Sequence, residues 1–426
     1  MTYEKFNSGR RRFIASAGAG AAVTAGVGLG FSQRLVAGGS GSVATPLLVY
    51  VFLRGGMDGL SYVVPVSGAN QVHYAQDRDD IFIEPTNTLS LADYPNAAGF
   101  GLNPLVTELH ALRSNMAIVQ ACGHPLDALT RSHFDAQEEI ELGTPGDQSG
   151  TTGGFLTRYL QSVSHDPDAI FTSLASSNTP PVSLAGYPDV ATLDSPSSFS
   201  PNSGRYGDTH LVGLSELYGG SGSLDLAGQA TLDAVELINT FDLGGYVPAG
   251  GVVYPDTGIG NDLELIAQLW KLDLGISTAT VNKGGWDTHN SQQPLNPNTG
   301  FGRNIRELSD AVAAFYRDIA ADPVKDANDI CIVIQSEFGR QVSENGNRGT
   351  DHGFANPMTV IGGRITGGMY GTFPGISAGD REGDGVIPTT DFRQVHATVM
   401  DRVMGGGPGI VNNVFPGLSY QPVPFV

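Results

Sequence analysis

Three short apolar runs in this sequence each end in a segment that carries a carboxylate or a histidine. The runs are residues 47–53, 276–281 and 330–334. Continuous apolar runs of this length are typical of strands buried in a parallel sheet. In open α/β sheets, ligands bind just beyond the carboxyl ends of the strands. The pattern therefore predicts one convergent site, built by residues that are far apart in the sequence.

The rest of the pattern predicts strands alternating with helices. Two further strands are predicted at 116–121 and 358–361. Helical spacing of apolar residues predicts helices at 131–142, 155–163, 231–241, 262–272, 303–321 and 391–403. Strands that alternate with helices indicate an α/β fold with a mostly parallel central sheet and helices on both faces.

The N-terminal segment predicts export. Gly9-Arg10-Arg11-Arg12-Phe13-Ile14 matches the twin-arginine pattern, and the Ala- and Gly-rich stretch 14–31 is too weakly hydrophobic for a convincing membrane span. We expect a signal peptide at 1–37, a flexible linker at 38–46 and one α/β domain at 47–426, with a loop-rich insertion at 176–225. The expected partner is the twin-arginine export machinery. The expected location is periplasmic or extracellular, with no stable membrane span after cleavage.

The net charge bears on the possible partners, and the cysteine content bears on whether a disulfide forms. The net charge of −20 argues against nucleic acid as a partner, because no basic stripe could neutralise phosphates. It fits a protein that binds cations, and equally an ordinary solvated acidic surface. Only Cys122 and Cys331 are present, each within or at the end of a probable buried strand, so two separate core thiols are favoured over a disulfide.

The segments after the apolar runs supply candidate metal ligands. Asp58 lies in a glycine-rich turn after the first run. Asp287 and His289 are two residues apart in an extended segment and can therefore reach the same ion. Glu337 follows the third run, and Asp351 and His352 form a second acid–imidazole pair. Carboxylates combined with imidazoles suit zinc or manganese better than calcium. The alternatives are plain turns, or a structural Glu337–Arg340 ion pair.

A nucleophile candidate opens the helix predicted at 131–142. The Ser132 hydroxyl would lie at the positive end of the helix dipole, near free backbone N–H groups. The alternative is that Ser132 simply caps the helix, with Asp135 completing the cap. His133, from the same turn, is an alternative ligand or general acid.

Seven motifs in order resemble the bacterial family named domain of unknown function 1501. They are Leu53-Arg54-Gly55-Gly56-Met57-Asp58-Gly59, Arg131-Ser132-His133-Phe134-Asp135-Ala136-Gln137, Gly143-Thr144-Pro145-Gly146, Gly285-Trp286-Asp287-Thr288-His289, Ser336-Glu337-Phe338-Gly339-Arg340, Asp351-His352-Gly353 and Asp391-Phe392-Arg393. That family is similar to a branch of the alkaline phosphatase and sulfatase superfamily, whose members hydrolyse phosphate or sulfate esters at one or two metal ions.

The resemblance implies roles for these residues. Asp58 would be a metal ligand after the first strand, and Ser132 a nucleophile that also touches metal. Asp287 and His289 would be the paired ligands of the other ion, although one residue separates them where the phosphatases usually have three. Glu337 stands where an Asp is expected and Phe338 where a His is expected. His352, with Asp351, would supply the late histidine. The formylglycine signature of sulfatases is absent.

Two functions follow as hypotheses. The first is an exported hydrolase of phosphate or sulfate esters that uses one or two divalent ions (Zn, Mn, Mg or Ca), with Ser132 or His133 in catalysis. In that case Arg54, Arg131 or Arg340 would clamp the anionic ester by paired hydrogen bonds. The second is a non-catalytic periplasmic or surface protein that carries a structural cation and binds polysaccharide or a protein partner.

Overall fold

The fold is given by a computed structural model, which describes residues 46–148, 153–166, 169–193, 207–222 and 245–426, together with residues 225, 228, 229 and 232. The expected signal peptide at 1–37 lies outside the described residues. So does the linker at 38–46, apart from Pro46. The helix predicted at 231–241 also lies outside them, apart from Leu232.

A nine-stranded sheet forms the centre of the molecule. In chain order its strands are β1 (Leu47–Leu53), β2 (Met116–Gly123), β3 (Ser173–Ser176), β4 (Val190–Thr192), β5 (Thr278–Lys283), β6 (Ile330–Ser336), β7 (Asn356–Gly362), β8 (Gly368–Tyr370) and β9 (Thr390–Asp391). The spatial order is β8-β2-β7-β6-β1-β5-β3-β4, and β9 also pairs with β2. Only β7 runs antiparallel to its neighbours, β2 and β6. The predicted α/β class with a mostly parallel sheet is confirmed.

Helices cover the sheet, and β1 shows why the strands are apolar throughout. Its odd-numbered residues pack into one core and its even-numbered residues into another, because successive side chains of a strand point to opposite faces. The first core includes α3 (Gly258–Lys271) and α4 (Gly300–Ala320). The second includes α1 (His133–Leu142), α2 (Phe155–Ser162) and α5 (Phe392–Thr398). A strand covered on both faces reads as one continuous apolar run.

The element boundaries differ from the predicted ones by a few residues. The predicted helix at 131–142 begins at His133, because Ser132 serves as its N-cap. The predicted helix at 391–403 has a π-helical final segment, Val399–Val403. Further helices are Gly59–Tyr62, Gly68–Gln76, Thr107–Ala111, Gly207–Leu217 and Val411–Val414. Smaller strands pair as Val63–Pro65, Leu89–Ser90 and Phe100–Leu102, and as Arg381–Glu382 with Gly385–Val386.

Three further expectations concern the insertion, the cysteines and the membrane. Within 176–225, β4 adds an edge strand to the central sheet and Gly207–Leu217 forms a helix. Cys122 and Cys331 are both buried and unpaired, as the core-thiol interpretation predicted. In the part of the chain that the structure describes, no helix is long and apolar enough to cross a membrane.

A neutral histidine is buried among aromatic rings beside β6. His396, on α5, is 1% exposed and its Nε2 lies 2.7 Å from Oε1 of Gln335. Its ring packs within 5.4 Å of the Tyr50 ring and 4.7 Å of the Phe155 ring, measured between centroids. Burial lowers the pKa of His396 from 6.5 to about 3, because this surrounding disfavours the imidazolium.

This burial predicts a pH dependence of stability. Between pH 6.5 and about 3 the unfolded chain binds a proton at His396 that the folded chain does not bind. The contribution of His396 to the free energy of unfolding should therefore fall by about 1.4 kcal/mol per pH unit as the pH decreases through this window. Urea unfolding of the wild type and of His396→Gln from pH 7 to pH 4 measures it. Parallel curves for the two proteins would contradict the prediction.

Candidate metal centre

Three imidazoles and one carboxylate converge at the carboxyl end of the sheet. The Nε2 atom of His352 lies 3.0 Å from Nε2 of His133 and 2.9 Å from Nε2 of His289. Oδ1 of Asp287 lies 3.0 Å from Nε2 of His289, 3.3 Å from Nε2 of His352 and 3.4 Å from Nε2 of His133. In His133, Asp287 and His352 the potential ligand atoms all lie within 4.8 Å of one another.

The other ring nitrogen of each histidine is already occupied by an acceptor. Nδ1 of His133 lies 2.7 Å from Oε1 of Glu337, and Nδ1 of His289 lies 2.7 Å from Oδ1 of Asp351. Nδ1 of His352 lies 2.8 Å from the carbonyl oxygen of Arg131. In a neutral imidazole the proton then sits on Nδ1, so the Nε2 lone pair of His352 faces those of His133 and His289. Lone pairs repel at such distances unless a proton or a metal cation lies between them.

These distances match the size of a tetrahedral metal site. Zinc binds histidine nitrogen and carboxylate oxygen at about 2.0–2.2 Å, which places neighbouring ligands of a tetrahedron roughly 3.3–3.6 Å apart. The spacings of 2.9–3.4 Å in the cluster lie at or just below this range. The contacts from Nδ1 to carboxylates or a carbonyl are those that orient histidine ligands in metalloproteins. The donor set therefore fits one ion at His133, Asp287 and His352, whose ligand atoms all lie within 4.8 Å of one another. His289 is a fourth candidate ligand, 2.9 Å from His352 and 3.0 Å from Asp287.

The charges around the centre suit a divalent cation. The Arg340 guanidinium donates to Oδ1 of Asp287 at 2.6 Å and, against the effect of burial, lowers the pKa of Asp287 to about 2. Burial would raise the pKa of Glu337, but hydrogen bonds from His133 and Gln137 keep it below its ordinary value. Hydrogen bonds from Asn345 and His289 lower the pKa of Asp351. Three carboxylates against one guanidinium leave an excess of two negative charges, which a divalent ion would balance.

The pKa values of His133 and His352 are shifted in opposite directions. The hydrogen bond to Glu337 raises the pKa of His133, whereas burial lowers the pKa of His352. A lowered pKa keeps His352 neutral near pH 7, the form that can ligate a metal.

The fold brings the four residues together from three directions. His133 is the first residue of α1, whereas Asp287 and His289 follow β5 and His352 follows β6. The chain after β1 passes so close to this segment that a Cβ atom on Gly55 would lie 2.6 Å from the amide nitrogen of Asp287. Gly55 also has a φ of 123°, which other residues rarely adopt.

The centre is open to solvent on the side of Asp287. Its side chain is 49% exposed and that of His289 is 35% exposed, against 22% for His133 and His352. Structural zinc sites are closed, whereas catalytic sites keep a position accessible to water or substrate.

The structure does not place Asp58 at this centre, which corrects the prediction that it ligates metal. Asp58 is fully buried and accepts hydrogen bonds from Nη1 of Arg78 at 2.5 Å and from Nη2 at 3.0 Å. Ser61 and Gln292 also donate to its carboxylate. Burial would raise the pKa of Asp58, but the charge and hydrogen bonds of Arg78 lower it. The Arg78 guanidinium thus occupies the position beside Asp58 where a metal ion was expected.

Two other predicted ligands have a different role. Glu337 and Asp351 accept from the Nδ1 atoms of His133 and His289, so they orient ligands and do not face the ion. Glu337 is 1% exposed and also accepts from the backbone N–H of Gly55.

The predicted catalytic residues are likewise engaged elsewhere, with the exception of His133. The Ser132 hydroxyl accepts from the backbone N–H of Asp135 at 3.3 Å, which is the capping alternative. Arg54 donates to Asn282, Gln137 and Glu141. The Arg131 guanidinium donates to the carbonyls of Glu382 and Gly383. Arg340 is buried and donates to four carbonyls and to Asp287.

Sequence reasoning missed the partners that support the centre. Arg78 and Gln292 lie in segments without a recognisable motif, whereas Gln137 ends the motif at 131–137 but was given no role. Each of the three binds a carboxylate more than 19 residues away. The segment of Arg78, Asp77-Arg78-Asp79-Asp80, carried a further signal, because it places one cation among carboxylates.

Comparison with known proteins agrees with the motifs. The model of the family described as protein of unknown function (DUF1501) matches residues 266–405. This confirms the resemblance over a segment that contains three of the four candidate ligands, Asp287, His289 and His352. No curated protein matches the chain.

Among solved structures, the chain is similar to an alkaline phosphatase from the Antarctic bacterium TAB5, with a TM-score of 0.33, 10% identity and coverage of 87% of this chain and 98% of that one. It is also similar to the PsFucS1 sulfatase from Pseudoalteromonas sp., with a TM-score of 0.32, 11% identity and coverage of 79% and 66%. A mutant of the TAB5 alkaline phosphatase with Mg bound in its M3 site has a TM-score of 0.31 and 10% identity, with coverage of 88% and 99%. Likenesses of this size do not extend an activity to this chain.

The centre makes a prediction about metal affinity. The full chain should bind one Zn²⁺, and His352→Ala should abolish binding. Glu337→Gln should weaken binding by about 10–100-fold, because the His133 ring loses its charged acceptor. Competition with a chromophoric chelator measures the affinity. Asp93→Asn is the control, since Asp93 pairs with Arg113 at the surface. Equal affinity of Glu337→Gln and wild type would contradict the assignment of Glu337.

The Asp58–Arg78 pair makes a prediction about stability. Arg78→Met should lower the free energy of unfolding by about 3–5 kcal/mol, because it leaves a buried carboxylate uncompensated. Arg113→Met is the matched control. Its partner Asp93 is 66% exposed, so the loss there should be much smaller than at the buried pair. Urea unfolding of both variants tests this, and similar losses would show that the buried pair has no special role.

Proposed function

We propose that this protein is an exported metal-dependent hydrolase of phosphate or sulfate esters, which works with one divalent ion in the periplasm or outside the cell. One observation carries the proposal: at the solvent-open carboxyl end of a parallel sheet, Nε2 of His352 and Oδ1 of Asp287 each lie within 3.4 Å of Nε2 of His133 and of Nε2 of His289. Sites of ligand binding in α/β proteins lie at this end of the sheet.

The donor set favours a transition metal. Three imidazoles and one carboxylate suit Zn²⁺ or Mn²⁺, whereas Ca²⁺ and Mg²⁺ prefer oxygen ligands. The expectation of one or two ions becomes a proposal of one, because Asp58, the first-strand candidate, is paired with Arg78.

A divalent ion bound here would polarise an ester oxygen and lower the pKa of a water molecule. The residues of the chain hold this arrangement rigid. Glu337 and Asp351 fix the rings of His133 and His289. Arg340 keeps Asp287 ionised. The same guanidinium also donates to the backbone carbonyls of Gly55 and Trp286, so it fixes Asp287 relative to them. Because Asp287 and His289 are the most exposed members, substrate would approach from their side.

A second function is supported by a separate observation. Ser132 caps a helix, and the guanidinium groups of Arg54, Arg131 and Arg340 are committed to other acceptors. Each arginine that the sequence suggested as a clamp for a phosphate or sulfate group thus already donates to groups of the chain itself. This favours the alternative of a non-catalytic metal-binding protein that recognises polysaccharide or a protein partner.

Hydrolysis assays distinguish the two functions. Protein reconstituted with Zn²⁺ or Mn²⁺ should hydrolyse an aryl phosphate, an aryl phosphodiester or an aryl sulfate. Activity should fall by at least about 100-fold in Asp287→Ala and His352→Ala, which remove metal ligands. Asp93→Asn, a change at a surface pair, controls for handling. Stoichiometric metal binding with no turnover of any ester would instead support the non-catalytic function.

A further inference from the structure

One buried glutamine connects the Asp58–Arg78 pair to two loops that carry candidate metal ligands. One loop follows β5 and contains Asp287 and His289, and the other follows β6 and contains His352. Gln292 is fully buried. Its Nε2 donates to Oδ2 of Asp58 at 2.7 Å and to Oγ of Ser61 at 3.1 Å. Its Oε1 accepts from the hydroxyl of Thr288 at 2.9 Å and from the hydroxyl of Thr350 at 2.8 Å. Both polar atoms of the side chain are therefore used, each of them twice.

The two threonines stand beside the ligands in the sequence. Thr288 separates Asp287 from His289, and Thr350 precedes Asp351 and His352. Asp287 and His289 meet at the centre, while the hydroxyl of Thr288 bonds to Gln292. Thr288 lies between the two ligands in the chain, so the hydrogen bond that fixes Thr288 also restrains the backbone on which Asp287 and His289 stand.

The backbone joins the same two loops. The N–H of Thr350 donates to the carbonyl of Thr288 at 3.1 Å, and the N–H of Gln292 donates to the carbonyl of Arg348 at 2.8 Å. The loops therefore lie side by side, and the amide oxygen of Gln292 is the one side-chain acceptor shared by both threonine hydroxyls.

We infer that Gln292 is a positioning residue of the proposed metal centre: it fixes the loops 286–289 and 350–352 in register by holding Thr288 and Thr350 against the Asp58–Arg78 pair. The inference rests on the metal centre of the proposed function, but it does not depend on which ester is hydrolysed, or on hydrolysis at all. Asp58 takes part because its carboxylate orients the Gln292 amide. Asp58, which was predicted to be a ligand, thus contributes to the position of the ligands through its hydrogen bond with Gln292.

The physical reason lies in the tolerance of a metal site. Shifts of a few tenths of an ångström in ligand position change coordination distances by more than a well-formed site accepts. Removal of a group that orients ligands typically costs 10–100-fold in metal affinity. A buried acceptor that serves two loops should therefore affect affinity more than it affects global stability.

The test uses variants that remove one hydroxyl and keep the side-chain shape. Thr288→Val and Thr350→Val should each lower Zn²⁺ affinity by about tenfold or more. Thr288→Ser and Thr350→Ser, which keep the hydroxyl, should retain the wild-type affinity. Thr359→Val is the matched control. Thr359 is 2% exposed and its hydroxyl bonds to Tyr62 at 3.2 Å, so its loss lowers stability without touching the ligand loops.

A second readout reports geometry directly. The visible absorption of Co²⁺ substituted for Zn²⁺ depends on coordination geometry, so it should change in both valine variants of the ligand loops and stay constant in Thr359→Val. In a triple variant that combines Gln292→Met with the two valines, affinity should fall no further than in the double valine variant, because the three residues act as one unit.

The outcomes separate the inference from the proposed function. Wild-type metal affinity in both valine variants, or a loss in Thr359→Val as large as theirs, would overturn the role of Gln292 while leaving the metal centre in place. A wild-type protein that binds neither Zn²⁺ nor Co²⁺ would overturn both. Absence of ester hydrolysis, with the expected affinities and spectra, would overturn the hydrolase and support the positioning role.

Discussion

One buried guanidinium holds together the loops on which the candidate site depends. Arg340 is 2% exposed and donates to the carbonyls of Gly55, Gly56, Trp286 and Thr350, and to the carboxylate of Asp287. These acceptors lie in the loops after β1 and β5 and in the loop that leads to His352. A buried cation needs all its hydrogen bonds, since each unmet donor would cost free energy. The loops are therefore fixed relative to one another by the requirement to solvate Arg340.

The centre itself is organised in two layers around that fixed frame. Inside are three imidazoles and Asp287, and outside are the groups that hold each ring, namely Glu337, Asp351 and the carbonyl of Arg131. Carboxylates in the outer layer raise the basicity of the imidazoles and neutralise the charge of a bound ion. A divalent cation bound among them would balance the negative charge of the inner and outer carboxylates.

Much of the fold could be predicted from sequence because the relevant signals are local. The limits of β1 agree with its apolar run, and β6 and α4 lie within a few residues of their predicted bounds. Asp287, His289 and His352 were recognised as ligand candidates from residue type and spacing. Asp58 was misassigned for the opposite reason. Its turn sequence was informative, but its partner Arg78 stands 20 residues away without a motif.

The sequence by itself determined the class of the fold, the edge of the sheet where chemistry gathers and the kinds of side chain placed there. Hydrophobic period and turn composition encode these features within a few residues. Only the tertiary structure decided which carboxylate lies among the imidazoles and which ones orient them, that Ser132 caps a helix, and that Arg54 and Arg340 already donate to other groups of the chain. Those outcomes depend on contacts between segments far apart in the chain, where burial forces each charge to take the nearest complementary partner.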